Sequence, residues 1–401
     1  MSVPMLCALR TWYHANPSAS YVRFPFDLRK HNQHDPRSCE AGPFAAGGFA
    51  NEHTSAITRH DNKNKIREHA VVINFPFRRV IMGLGLLIAA LSPQAHAQSS
   101  AKTVTLVVPF AAGGGTDTVA RLIGERMSRT LGQTVIIENV VGGGSTLAND
   151  RVARSAPDGT TILINHVALL AAPSLFTNLR YDTKTAFEAV GLVNNAPMVL
   201  IGRKSIPGAG PKDFVDWIKA QRDKANFAHG GLGTNSHLCA VMMGNVLGFK
   251  PTVAAYRGSA PAISDLLAGQ IDLLWDQVTN ALPQIQAGTL HGIAITSPQR
   301  LEQLKDVPTT AELGMPEVSY SMWHGLYVAK GTPKETVGAL NSALRAALAD
   351  PTLLEKLKQL GTLPFPENEL TPEAHARLFA SDLTRVAKLV ESSGIKASEA
   401  K

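Results

Sequence analysis

The chain has 401 residues, of which 44% are hydrophobic, and a formal net charge of +7. That length and apolar content are enough for two domains with sizeable cores. Residues 1–97 carry 11 lysines and arginines against 6 acids, and the remainder 28 against 26. The body therefore has no basic face, and a nucleic-acid-binding role is excluded.

The first readable element lies inside the chain. Arg78 and Arg79 precede the apolar run Val80–Leu91, and Ala95-His96-Ala97 follows. A basic start, a short apolar core and a small-residue site describe a secretory signal peptide over residues 78–97, cut after Ala97. The run is about 12 residues, short of the roughly 20 a membrane-spanning helix needs. Residues 1–77 show no amphipathic period and read as a non-native extension from a misassigned translation start. Only Cys239 remains beyond the leader, among apolar helix residues, which points to a buried structural thiol and no internal disulfide.

From Val104 the chain alternates strand, turn and helix. An apolar strand Val104–Phe110 meets the glycine run Gly113-Gly114-Gly115, then a helix from Asp117 whose stripe is Val119, Ile123, Met127 and Leu131. Val135–Glu138 is a second strand, and Gly142–Gly144 opens a helix ending near Ala153. The turn Pro157-Asp158-Gly159 leads into strand Thr161–Asn165. This βαβαβ run predicts an α/β fold with a parallel sheet. A second cycle has strands Val199–Gly202, Asn226–His229, Val253–Tyr256, Ile271–Trp275 and Gly292–Ile295. Its helices are Pro211–Gln221, one ending at Leu247, Ala260–Ala268 and Ala281–Ala287. Thr332-Pro333 and Thr371-Pro372 then supply an N-cap and N1 proline for two C-terminal helices.

The two glycine-rich strand-to-helix turns, VTLVVPFAAGGGTDTVARLI and NFAHGGLGTNSHLCAVMM, are the strongest functional signal. Glycine permits close backbone approach, and a helix start offers unpaired N–H groups to an anion. Neither turn is a nucleotide fingerprint. The third glycine position of G-x-G-x-x-G falls on Thr118 in one and Ser236 in the other, and no P-loop lysine is present. No G-x-S-x-G elbow, H-E-x-x-H or cysteine pair offers hydrolase or metal chemistry. Thr116 and Thr234 read as helix caps or ligand contacts, and Asp117 as a cap or a ligand-side acceptor. Arg257 reads as a carboxylate partner or a solvated loop charge. Asp276 reads as a ligand-side group or a cap for the helix near Thr279. His237 reads as a helix-start packing residue rather than a base.

Together with GQTVIIENVVGGG, SAPDGTTIL, HGGLGTNSHL, YRGSAPAISDLLAGQIDLLWD, PQIQAGTLHGIAITS, VPTTAELG and GTPKETVGALN, these segments resemble the Bug family, the periplasmic solute receptors of tripartite tricarboxylate transporters. The resemblance covers nearly all of Val104–Lys396. It implies a type II periplasmic-binding-protein fold with a ligand cleft between two α/β lobes, residues 98–199 plus 324–401 and residues 200–323. It implies no catalysis, no cofactor and no metal. A small organic acid would be held by Gly113, Gly114, Gly115, Thr116, Asp117, Asn165 and His166 from one lobe. Gly230, Gly231, Gly233, Thr234, Asn235, Ser236, His237, Tyr256, Arg257, Gly258 and Asp276 would hold it from the other. A monomer serving membrane permease subunits is expected, the alternative being a receptor docked on a sensor kinase. Gly233→Val is expected to block ligand approach without unfolding the protein. His166 and His324 depart from the family pattern.

Overall fold

The computed structural model describes residues 103–398; the leader and extension expected over residues 1–97 lie outside the described residues. The first cycle forms as the apolar pattern demands. Strand β1 (Val104–Val108) pairs in parallel with β2 (Val135–Asn139) and β3 (Thr161–Asn165). Helix α1 (Gly115–Leu131) buries Val119, Ile123 and Met127 and stops at Gly132, whose left-handed backbone (φ 63°) suits glycine. Helices α2 (Thr146–Ala153) and α3 (Val167–Leu175) complete this half.

The joint between the halves is strand β4, which runs unbroken over Phe187–Arg203. Val199–Gly202 is only its tail. Gly191, Asn194, Asn195 and Pro197 hide the rest from a pattern reading, because bulges fall between Ala189 and Gly191 and between Leu192 and Asn194. Proline cannot donate to a ladder. Pro197 is tolerated because it stands where β4 changes partners. Through Pro197, opposite Ser321, β4 pairs with the returning strand β9 (Ser321–Ala329). From Met198 onward it pairs with β7 (Leu273–Gln277) and, from Val199, with β8 (Leu290–Ile295).

The second half repeats the first half's construction. Helix α4 (Pro211–Gln221) leads to β5 (Asn226–His229), which pairs in parallel with β6 (Thr252–Ala255) and β7. Helices α5 (Asn235–Leu247), α6 (Ser259–Leu267) and α7 (Val278–Gln286) follow β5, β6 and β7. The sheet order is β2-β1-β3-β9-β4-β7-β5-β6. The C-terminal helices return to the first half. Helix α8 (Lys334–Leu348) buries Val337, Leu340, Leu344 and Leu348 against α1 and β4. Its N-cap is Pro333, one residue later than expected, because the Thr332 hydroxyl donates to the Ala329 carbonyl at 2.7 Å. Helix α9 (Pro351–Gln359), capped by Asp350, lies between α8 and the two-residue strand β10 (Leu363–Pro364). Helix α10 (Pro372–Ser392), capped by Thr371 as expected, packs on α3 and β4.

Candidate functional site

Five helices start at one cavity. Gly114 caps α1, His166 caps α3, Thr234 caps α5, Gly258 caps α6 and Gln277 caps α7, and all five residues line it. Each helix start carries roughly half a positive charge and unpaired N–H groups. Among the described residues, no lysine or arginine lines the cavity. Met198 of β4 and Met322 of β9 form part of its wall, and Phe110 stacks on His166 with ring centroids 4.9 Å apart. The cavity measures about 20 Å³, close to the roughly 10–15 Å³ that one water occupies.

The two halves touch around this cavity. Ala111 donates its N–H to the Arg257 carbonyl at 2.9 Å. A Cβ on Gly115 would stand 2.2 Å from Gln277 Oε1, one on Gly258 2.9 Å from Ala111 N, and one on Gly144 2.4 Å from the Leu232 carbonyl. At Gly144 and Gly258 glycine is required because backbone of the opposing half occupies the space a side chain would fill; at Gly115 that space holds the Gln277 and Thr279 side chains. The halves stand closed, and a solute much larger than water enters only when they part.

In the first turn, Asp117 is consumed internally. Its carboxylate accepts from Gly113 N, from Arg121 Nε and Nη2 and from Asn139 Nδ2, all at 2.9–3.0 Å. Burial alone would raise its pKa, but these donors outweigh it and lower it. Asp117 braces the turn and does not line the cavity. Thr116 does line it, at one end of a directed chain of hydrogen bonds. Thr362 Oγ1 donates to the Asn195 carbonyl at 2.7 Å, so it must accept from Asn194 Nδ2 at 2.8 Å. Asn194 Oδ1 is then an acceptor, and His324 Nδ1 donates to it at 2.8 Å. Burial lowers the His324 pKa to about 3 and keeps the ring neutral, so Nε2 accepts the Thr116 hydroxyl at 3.0 Å. Thr116 in turn accepts from Gln277 Nε2 of the other half at 3.2 Å. The hydroxyl proton of Thr116 is spent inside the protein.

The second turn is held from behind by two imidazoles. Gly231 N donates to His229 Nδ1 at 3.0 Å and Gly233 N to His237 Nδ1 at 3.3 Å. Both rings are neutral, their pKa values lowered by burial to about 3 and about 4. The Thr234 hydroxyl donates to the Gly231 carbonyl and accepts from His237 N, as a helix cap does. Asn235 and Ser236 differ from these. Both are buried, both line the cavity, and the Asn235 amide nitrogen and oxygen and the Ser236 hydroxyl have no hydrogen-bond partner. Asp276 accepts from Ser259 Oγ, Gln277 N and Asn280 Nδ2; burial raises its pKa to about 6.

The cavity thus gathers Gly114, Gly115, Thr116, His166, Gly230, Thr234, Asn235, Ser236, Gly258 and Asp276 of the expected set. It does not gather Gly113, Asp117, Asn165, Gly231, Gly233, His237, Tyr256 or Arg257. Asn165 donates to Asn149, Tyr256 donates to Asp265 at 2.6 Å, and the Arg257 side chain is exposed. Phe110, Met198, Ser259, Gln277 and Met322 line it without having been anticipated. Ser259 and Gln277 sit beside Gly258 and Asp276, so the rule that sheets bind at strand ends could have included them. The methionines carry no local signal.

Two α/β halves crossed by β4 and β9 and closed over converging helix starts define a type II periplasmic-binding-protein fold, a class of solute receptors. Residues 119–395 match the model of the tripartite tricarboxylate transporter family receptor, and the chain belongs to that family. It is similar to the periplasmic binding protein BugD, at 42% identity and TM-score 0.72, over 74% of this chain and 99% of that one. It is similar to MatC of Rhodopseudomonas palustris, solved with malate, at 37% identity and TM-score 0.69, over 72% and 98%. A further R. palustris protein, solved with adipate, is 30% identical with TM-score 0.70, over 74% and 98%. The family and these neighbours are solute-binding proteins, not enzymes.

Proposed function

We propose that this protein is a periplasmic receptor that captures a small carboxylate-bearing organic anion and presents it to the permease subunits of a tripartite tricarboxylate-type transporter. The carrying observation is the convergence of five helix starts on a cavity without a lysine or arginine. Such a site favours an anion through backbone donors and dipoles instead of an ion pair. Malate and adipate in the related structures support a short dicarboxylate. The lobes of this reading are residues 98–199 plus 324–401 and residues 200–323, and closure of the second on the first is the signal a permease reads. Export is directed by the signal peptide over residues 78–97, which is then cut after Ala97.

A thermal-shift screen of the exported protein with dicarboxylates, tricarboxylates, aromatic acids, amino acids, a sugar and a nucleotide tests this reading. A solute at 100 times its Kd stabilises by about 2.7 kcal/mol. A shift with a carboxylate is expected; a shift with only the sugar or the nucleotide overturns the ligand class. Mass spectrometry of the same protein should find its N-terminus at Gln98, and a peptide from residues 1–77 would contradict the cleavage.

A further inference from the structure

We propose that the solute carries a hydrogen-bond donor, a hydroxyl or an amine, beside its carboxylate, and that Asn235 selects for it with Ser236 as a second contact. The inference rests on the receptor reading above and narrows its substrate class. The polar side chains around the cavity divide into two groups. Thr116, His166, Thr234, Ser259, Asp276 and Gln277 all have partners within the protein. Asn235 and Ser236 have none, although they are only 1% and 4% exposed. A buried polar group without a partner forfeits its solvation, so these two are complementary to something that enters the cavity.

The chemistry of an amide specifies what enters. Asn235 presents two N–H donors at one end and an oxygen acceptor at the other, whichever way the amide is turned. A simple dicarboxylate is acceptor-only. It can satisfy the helix-start N–H groups, the Asn235 nitrogen and the Ser236 hydroxyl, but it leaves the Asn235 oxygen buried and unpaired. A hydroxyl or ammonium on the carbon skeleton supplies the missing donor. Leaving one buried acceptor unpaired lowers affinity roughly 5- to 150-fold.

Titration calorimetry on the exported protein decides between these cases, using acids that share a skeleton. Succinate is compared with malate and aspartate, and glutarate with 2-hydroxyglutarate and glutamate. At least one substituted acid is expected to bind five-fold or more tightly than its unsubstituted parent. In Asn235→Leu that ratio should fall below five, with Ser236→Ala reducing it less. If each parent binds within five-fold of its substituted partners, the donor requirement is overturned while the receptor reading stands. A ratio that persists in Asn235→Leu overturns the assignment to Asn235. Binding of no carboxylate overturns both readings. Should Asn235→Leu not fold, the ratios measured on the unaltered protein decide the donor requirement and those of Ser236→Ala the side-chain assignment.

Discussion

Five buried histidines dominate the chemistry of single residues here. His166, His229, His237, His324 and His375 are all largely removed from water, and burial lowers every one of their pKa values. The unfolded chain takes up these protons near pH 6.5; in the folded protein His229, His237, His324 and His375 do so only at about pH 3 or 4, and His166 only well below the ordinary value. Between those limits the unfolded state binds more protons, so stability is lost as pH falls below about 6.5. Asp276 acts in the opposite sense. Its folded pKa of about 6 lies above its ordinary value of 3.8, so its own contribution improves as pH falls through that window. One carboxyl does not offset five rings. The urea midpoint is expected to drop between pH 7 and pH 5. His375 packs against Tyr327 and Trp323 with neither ring nitrogen partnered. His375→Phe should therefore hold stability at pH 7 and flatten the dependence below pH 6.5 by about 1.4 kcal/mol per pH unit. An unchanged slope would show that His375 is not among the responsible groups.

The glycine turns act as whole elements, and the structure separates glycines with an ordinary backbone from those whose left-handed backbone shapes the turn. Gly115 has no left-handed backbone, yet its missing Cβ makes room for Gln277 and Thr279 of the other half. Gly115→Val is compatible with the start of α1 and should prop the jaws apart. Solute affinity should fall ten-fold or more, while stability without solute changes by less than about 1 kcal/mol; calorimetry and thermal melts read the two separately. Gly233 also meets the opposing half, through Leu175 of α3, but its backbone differs. It adopts φ +79°, and a Cβ there would stand 2.7 Å from Leu175 Cδ1. Gly233→Val should therefore destabilise the protein by about 2 kcal/mol or more, because a β-branched residue is strained in that conformation. The expectation of lost binding in a stable protein moves from Gly233 to Gly115. A melt of Gly233→Val indistinguishable from the parent would restore the earlier view.

Across the whole molecule, closure is what joins the parts. Gln277 reaches from one half to Thr116 in the other, and from there the bonds run through His324 of β9 to Asn194 of β4. The latch therefore ends on both crossing strands. Gln277→Ala should leave the melting temperature near that of the parent but speed solute release several-fold, as stopped-flow displacement would show. Small-angle scattering should record a smaller radius on solute addition, and no change would argue against a parting of the lobes. Much of this molecule was readable in advance. The αβ alternation, the caps at Thr371 and Gly132, the buried Cys239 and the two glycine turns depend on interactions among near neighbours in the chain, which residue periodicity records. The long strand β4 was hidden, since Asn194, Asn195 and Pro197 resemble a loop until β9 and β7 divide their ladder between them. The sequence by itself determined that two helix-start turns stand ready for an anion. Only the tertiary structure decided that Thr116 and Asp117 are already engaged and that Asn235 and Ser236 are not. Hydrogen-bond partners from remote segments meet only when β4 and β9 cross, and no local pattern encodes that meeting.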